Sequence, residues 1–120
     1  MWKTISSKVL LEHPRLTVME DIVELPKGQH VAYLKYGTSN GAVMVICIRS
    51  GMVLVQREYS YPPNEILYQF PGGKIEHGES LKQAIKRELA EESSLMGSDF
   101  EKIGWFYTDN RRSASKLHVF

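Results

Sequence analysis

Hydrophobic and β-branched residues crowd Leu16 to Leu25 and stop at Pro26-Lys27-Gly28. That tripeptide has turn chemistry, because proline presets one dihedral and glycine permits a positive one. Val31 to Tyr36 follows as a returning strand, so the pattern predicts a hairpin. A second pair is predicted from Ala42 to Ile48 and from Met52 to Tyr59, joined by a turn at Arg49-Ser50-Gly51. The first of these is almost wholly apolar, as in a central strand covered on both faces. Pro62-Pro63-Asn64 then opens a loop. Only Ser80 to about Leu95 carries a helical period, with Leu81, Ala84, Ile85, Leu89 and Leu95 on one face. Ser80 and Gln83 have the spacing of a capping box. Ile103 to Tyr107 and Leu117 to Phe120 read as further strands, and the sum is an α+β fold.

Two carboxylates contradict the helix pattern. With Leu81 at zero and about 100° per residue, Glu88 falls near ~340° and Glu92 near ~20°, inside the apolar arc. Like charges at this spacing repel, and burial adds a larger desolvation cost. Either the helix rotates and leaves both acids at its wet edge, or a divalent cation bound to their oxygens resolves the conflict. Glu79 and Glu91 add two more acids, and Arg87 is the one obvious neighbouring cation. Pro71-Gly72-Gly73-Lys74 precedes the helix as a simple turn or as a place where backbone approaches a ligand closely.

Composition narrows the class without choosing a function. In 120 residues, 42% are hydrophobic and 24% charged, as in a globular domain with a modest core. No repeat, linker or low-complexity tract divides the chain, so one domain over 1–120 is expected. Fifteen basic and 14 acidic residues leave a net charge of +1, which gives no basic footprint for nucleic acid. The longest apolar run is too short to cross a membrane, and the start lacks the apolar centre of a signal peptide. A single cysteine, Cys47, makes no internal disulfide, and a reducing, cytoplasmic setting fits best. His13, His30, His77 and His118 have no zinc-like spacing.

Gly73, five residues, Glu79, seven residues, and then Arg87-Glu88-Leu89-Ala90-Glu91-Glu92-Ser93-Ser94-Leu95 resemble the box of the Nudix hydrolase family. Six of the seven fixed identities match, as do both apolar positions. At residue frequencies of roughly 5–7%, chance would give this on the order of once in ten million windows. The departure is Ser94, where the family has a glycine that ends the helix in a left-handed conformation. An altered helix exit, through Gly97, is therefore expected. Looser likeness to the ADP-ribose pyrophosphatase branch extends over Trp2, Leu25–Gly28, Val53–Tyr59 and Gln69–Glu76.

The resemblance implies an α/β/α sandwich around a mixed sheet, with the box as a loop-helix-loop. It implies hydrolysis of nucleoside diphosphates linked to another moiety, with Mg²⁺ or Mn²⁺, and ADP-ribose or a related nucleotide sugar as the first candidate. Other Nudix substrates, such as nucleoside triphosphates or dinucleotides, and a non-catalytic nucleotide sensor are the alternatives. Glu88 and Glu92 would be the principal metal ligands, with Glu91 auxiliary and the Gly72 carbonyl completing the set. Arg87 would orient the glutamates, and Glu79 would hold the loop. Where the branch often reads Gln-Tyr-Arg, this chain has Glu58-Tyr59-Ser60, so the arginine that would grip phosphate is missing unless neighbouring Arg57 substitutes. Tyr59, Tyr61 and Tyr68 are placed to stack on a base or to pack in strands, and Arg111-Arg112 to bind phosphate or to lie in a solvated loop.

A homodimer is expected, with the strands in residues 1–36 packing across a partner. Leu117 to Phe120 has no stop signal, whereas the family fold continues with a strand and a closing helix and often draws its general base from there. A truncated or naturally shortened form is the expectation. It would be slow unless Glu79 or Glu91 supplies the base, a contribution typically of about 100- to 10,000-fold.

Overall fold

A computed structural model describes all 120 residues. The chain forms two compact units, Met1–Ser39 with Tyr107–Ser115, and Asn40–Phe106 with Lys116–Phe120.

The first unit is built on an antiparallel meander of β1 (Lys3–His13), β2 (Leu16–Glu24) and β3 (His30–Tyr36). The Pro26-Lys27-Gly28 turn forms as expected. Gly28 has φ +80°, and its amide donates to the Leu25 carbonyl at 2.8 Å. Strand β1 is an addition to the sequence reading. Its register with β2 slips between Thr4 and Ser6 and again between Val9 and Leu11. Each slip inverts the facing of the side chains, so no sustained alternation survives in the sequence. Asp21 is buried on β2, bonded by the Ser7 hydroxyl at 2.6 Å and paired with the Lys35 ammonium. Lys35 chiefly, then Ser7, hold its carboxyl below the ordinary 3.8. Tyr33 gathers the Tyr107–Ser115 segment: its hydroxyl donates to the Arg111 carbonyl at 2.6 Å, and the Arg112 guanidinium lies 5.7 Å from its ring centre.

The second unit is built on a mixed four-stranded sheet in the order β10 (Gly104–Tyr107, of which all but the last residue fall in this unit), β11 (Lys116–Val119), β4 (Ala42–Met44), β9 (Gly72–Lys74). Strand β4 is parallel to β11 and antiparallel to β9. Two hairpins accompany it, β5 (Ile48–Arg49) with β6 (Met52–Val53), and β7 (Gln56–Ser60) with β8 (Glu65–Gln69). The single helix, α1 (Leu81–Ser93), packs its Ala84, Ile85 and Leu89 against Val43, Val45, Ile75 and Phe120. Burying side chains such as Ile85 and Leu89 is worth roughly 1.5–3 kcal/mol each.

The expected single strand over Ala42 to Ile48 is interrupted. Past Met44, the Val45 and Ile46 amides still donate to the segments flanking β4, at the Pro71 and Phe120 carbonyls (2.9 and 2.8 Å), and regular strand resumes only at Ile48, which is exposed. An unbroken apolar run carries no mark of where regular pairing breaks. The Met52 to Tyr59 strand likewise divides into β6 and β7.

Both ends of α1 follow local chemistry. Ser80 caps the N-terminus and forms the expected box with Gln83, whose side chain accepts from the Ser80 amide at 2.8 Å. At the other end Ser94 itself adopts the left-handed conformation, with φ 57°, and its amide donates to the Ala90 carbonyl. The expected detour through Gly97 does not occur. Gly97 instead leaves room for packing, since a Cβ there would lie 2.7 Å from Phe100 and 2.9 Å from Leu89.

Candidate active site

Arg87 is the hub of the acidic helix face. Its Nε and Nη2 donate side-on to the two carboxylate oxygens of Glu79, both at 2.9 Å. Nη2 also reaches the Lys74 carbonyl at 3.0 Å, and Nη1 donates to Glu88 Oε1 at 2.7 Å. A longer 3.4 Å contact runs to Glu91. This planar fork answers two carboxylates and a carbonyl together, a geometry that lysine does not reproduce. The Glu79 bonds chiefly, and then Glu88, raise the guanidinium above its ordinary value, so it stays charged. Reciprocally, Arg87 holds the Glu79 carboxyl below its usual range, helped by the Glu76 amide at 3.1 Å. Glu79 thereby ties the turn through Gly78, at φ +76°, to the helix.

The two acids that share the apolar arc have different surroundings. Glu88 is buried within the stripe, while Glu92, one turn on, is exposed at its edge. Both meet strand β9. The Gly72 amide donates to Glu92 Oε2 at 2.8 Å. The Glu88 carboxylate occupies the space beside Gly73, where a Cβ would come within 2.6 Å of its carboxyl carbon. Gly72 itself must be glycine for another reason, because a Cβ there would meet the Val43 carbonyl and Met44 Cα of β4. The two glycines thus let a strand lie against the sheet on one side and against a carboxylate on the other.

The structure brings Gly72, Glu79, Arg87, Glu88, Glu91 and Glu92 of the sequence-predicted set together on one helix, the strand before it and the loop between them. Arg57 and Tyr59 sit on β7, exposed, with the Tyr59 hydroxyl on Asn64 Oδ1 at 3.0 Å. Strand alternation puts both on the face opposite Gln56, whose side chain reaches the Glu92 carbonyl at 3.4 Å. Arg111 and Arg112 belong to the other unit, where Arg112 packs on Tyr33. Gln56 was missed by sequence reasoning; the available signal was its place one residue from Arg57, on the other face of the strand.

No three carboxylate, histidine or cysteine side chains converge as a ready-made cation cage. The donors nevertheless suit a hard cation. Arg87 engages one oxygen of Glu88 and the Gly72 amide one oxygen of Glu92, which leaves the second oxygen of each carboxylate outside these bonds. A few carboxylates supplemented by water and phosphate are how Mg²⁺ is usually held.

A family profile described as the NUDIX domain matches residues 38–120, and one described as the nucleoside diphosphate sugar hydrolase N-terminal domain matches residues 2–33. The ADP-ribose pyrophosphatase of Bacillus subtilis (strain 168) is 28% identical over 119 residues, covering 98% of this chain and 64% of the relative. The methanol dehydrogenase activator of Bacillus methanolicus is 31% identical over 104 residues, covering 86% of this chain and 54% of that protein. A solved structure described as an ADP compounds hydrolase superposes with a TM-score of 0.91 at 24% identity, over 98% of this chain and 64% of its own, and shares the fold. The chain therefore spans less than two thirds of the length of these relatives. With the box in place on α1 and β9 and the NUDIX profile covering most of its length, the chain belongs to the Nudix family.

Proposed function

We propose that this chain carries the catalytic face of a metal-dependent hydrolase acting on nucleoside diphosphates linked to another moiety, with ADP-ribose or a related nucleotide sugar as substrate. The observation that carries this reading is the placing of Glu88 and Glu92 against Gly73 and Gly72, with Arg87 locking Glu88 from behind. The profile match over residues 2–33 and the likeness to an ADP-ribose pyrophosphatase favour a sugar nucleotide over a triphosphate.

In this reading the Gly72 carbonyl, Glu88, Glu92 and, as an auxiliary, Glu91 hold Mg²⁺ or Mn²⁺. The bound ion neutralises diphosphate charge, polarises phosphorus and lowers the pKa of its water. Arg87 fixes the carboxylate that would otherwise swing away, and Glu79 fixes Arg87. Both Glu79 oxygens are committed to that fork, so Glu79 is poorly placed to take a proton. Glu91 is freer, with its side chain 62% exposed and one long contact, and is the better general base within the box. Arg57 and Tyr59, exposed on β7, are the candidates for phosphate and base in this unit. The protein works in the cytoplasm as a homodimer, for which Ile5, Val9, Leu11 and Leu34 supply exposed apolar surface on the meander.

The test is a product assay over ADP-ribose, other sugar nucleotides and triphosphates, with Mg²⁺ and with EDTA. Hydrolysis of ADP-ribose consumes one water and yields AMP and ribose 5-phosphate. Release of both products with Mg²⁺, abolished by EDTA, supports the reading. Turnover of triphosphates alone overturns the substrate class, and binding without turnover makes the chain a sensor. A monomer mass by light scattering at micromolar concentration overturns the dimer.

A further inference from the structure

We propose that Gln56 is a positioning residue that fixes the last turn of α1, and with it Glu92, and that the Glu58–Gln69 pair steadies Gln56 from the same strand face. The inference rests on the reading of Glu92 as a metal ligand. A helix leaves its last carbonyls without partners inside the helix. In α1 the Ala90 carbonyl accepts from the Ser94 amide and the Leu89 carbonyl from the Ser93 hydroxyl. The Glu92 carbonyl is answered from outside, by Gln56 Nε2 at 3.4 Å. Glu92 is thereby held at two points: its backbone on β7 and its carboxylate on the Gly72 amide.

The register of the hairpin explains why Gln56 can hold this position. Gln56 lies directly across from Gln69, and Glu58 across from Leu67, so the three polar side chains share one face. The Gln69 amide donates to Glu58 Oε2, a diagonal link between the strands. Gln69 is also the last residue of β8, and the chain passes from it through Phe70 and fully buried Pro71 to Gly72. The hairpin therefore meets both partners of the Glu92–Gly72 bond, the helix end through the Gln56 side chain and the strand through the chain that runs on from Gln69.

Outer partners that orient a metal ligand typically change affinity or activity by about 10- to 100-fold when removed. The test compares wild type, Gln56→Leu and Gln56→Lys, the last restoring a donor, with Gln69→Leu as a milder break. Hydrogen exchange at the Gly72 amide reads the Glu92 bond directly, Mn²⁺ alone is the binding probe, and kcat and KM are followed on whichever substrate the wild type turns over. In Gln56→Leu we expect Gly72 exchange and the Mn²⁺ Kd each to rise about tenfold. We expect kcat to fall with KM nearly unchanged, Gln56→Lys to recover most of the loss, and Gln69→Leu to fall between. Unchanged Gly72 exchange and Mn²⁺ affinity in folded Gln56→Leu would overturn the proposal even in an active enzyme. Faster Gly72 exchange with no Mn²⁺ binding in the wild type would leave Gln56 as the clamp on Glu92 and overturn the metal reading instead.

Discussion

The carboxylate of Glu88 fills the space that a side chain on Gly73 would need. One residue earlier, the space beside Gly72 is filled by the backbone of β4. Adjacent glycines on one strand thus serve different ends, and substitution should separate them. Gly72→Ala must push apart two paired strands and should cost about 3 kcal/mol, near the upper end of the usual overpacking penalty. Gly73→Ala meets a side chain rather than backbone. It should cost less stability but displace Glu88, lowering turnover by about 100-fold, the effect of a misplacement of roughly 1 Å. Melting curves and turnover on the two variants check the contrast; an equally unstable, equally active pair would refute it.

Ser94 stands in a left-handed conformation that costs an L-residue roughly 1–2 kcal/mol and glycine almost nothing. Ser94→Gly should therefore stabilise the chain, by up to about 1 kcal/mol once the greater freedom of glycine in the unfolded state is counted. The cap bond to Ala90 uses the backbone amide and is kept, so turnover should stay at wild type. Denaturant unfolding measures the gain.

Acid should weaken the first unit through Asp21. Its folded pKa lies below 3.8, so the native state holds its proton less tightly than the unfolded chain. The resulting stabilisation is present above 3.8 and is lost as pH falls through the lower folded value. Glu79 has the same sign, from Arg87 chiefly. Asp21→Asn should therefore be less stable than wild type at pH 7, with the gap narrowing below about pH 4. Unfolding midpoints across pH 2–7 decide it, and a constant gap would contradict the assignment.

Much of this architecture was legible because local chemistry and tertiary structure agree. Ser80 and Gln83 mark the helix start, Gly28 marks the turn, and the clash of Glu88 with its apolar neighbours marks the candidate site. What escaped depends on information that spacing does not carry. The bulges of β1 erase its alternation, and the uniform run after Ala42 hides the break in regular pairing after Met44. Ser94 simply takes the strained conformation instead of shifting the helix exit to Gly97. Gln56 became visible only when the hairpin register placed it on the helix side of β7.

The central claim, that Glu88 and Glu92 serve a divalent cation in diphosphate hydrolysis, is tested most directly by turnover of Glu88→Gln and Glu92→Gln with Mg²⁺, alongside circular dichroism and melting curves. Each substitution keeps the shape of the side chain and removes its charge. The account predicts at least about a 100-fold fall in turnover in each, with the fold intact, since the charge on the transition state loses its support. Turnover near wild type in either variant, accompanied by a raised melting temperature, would contradict it and leave these acids as misplaced charges on a helix.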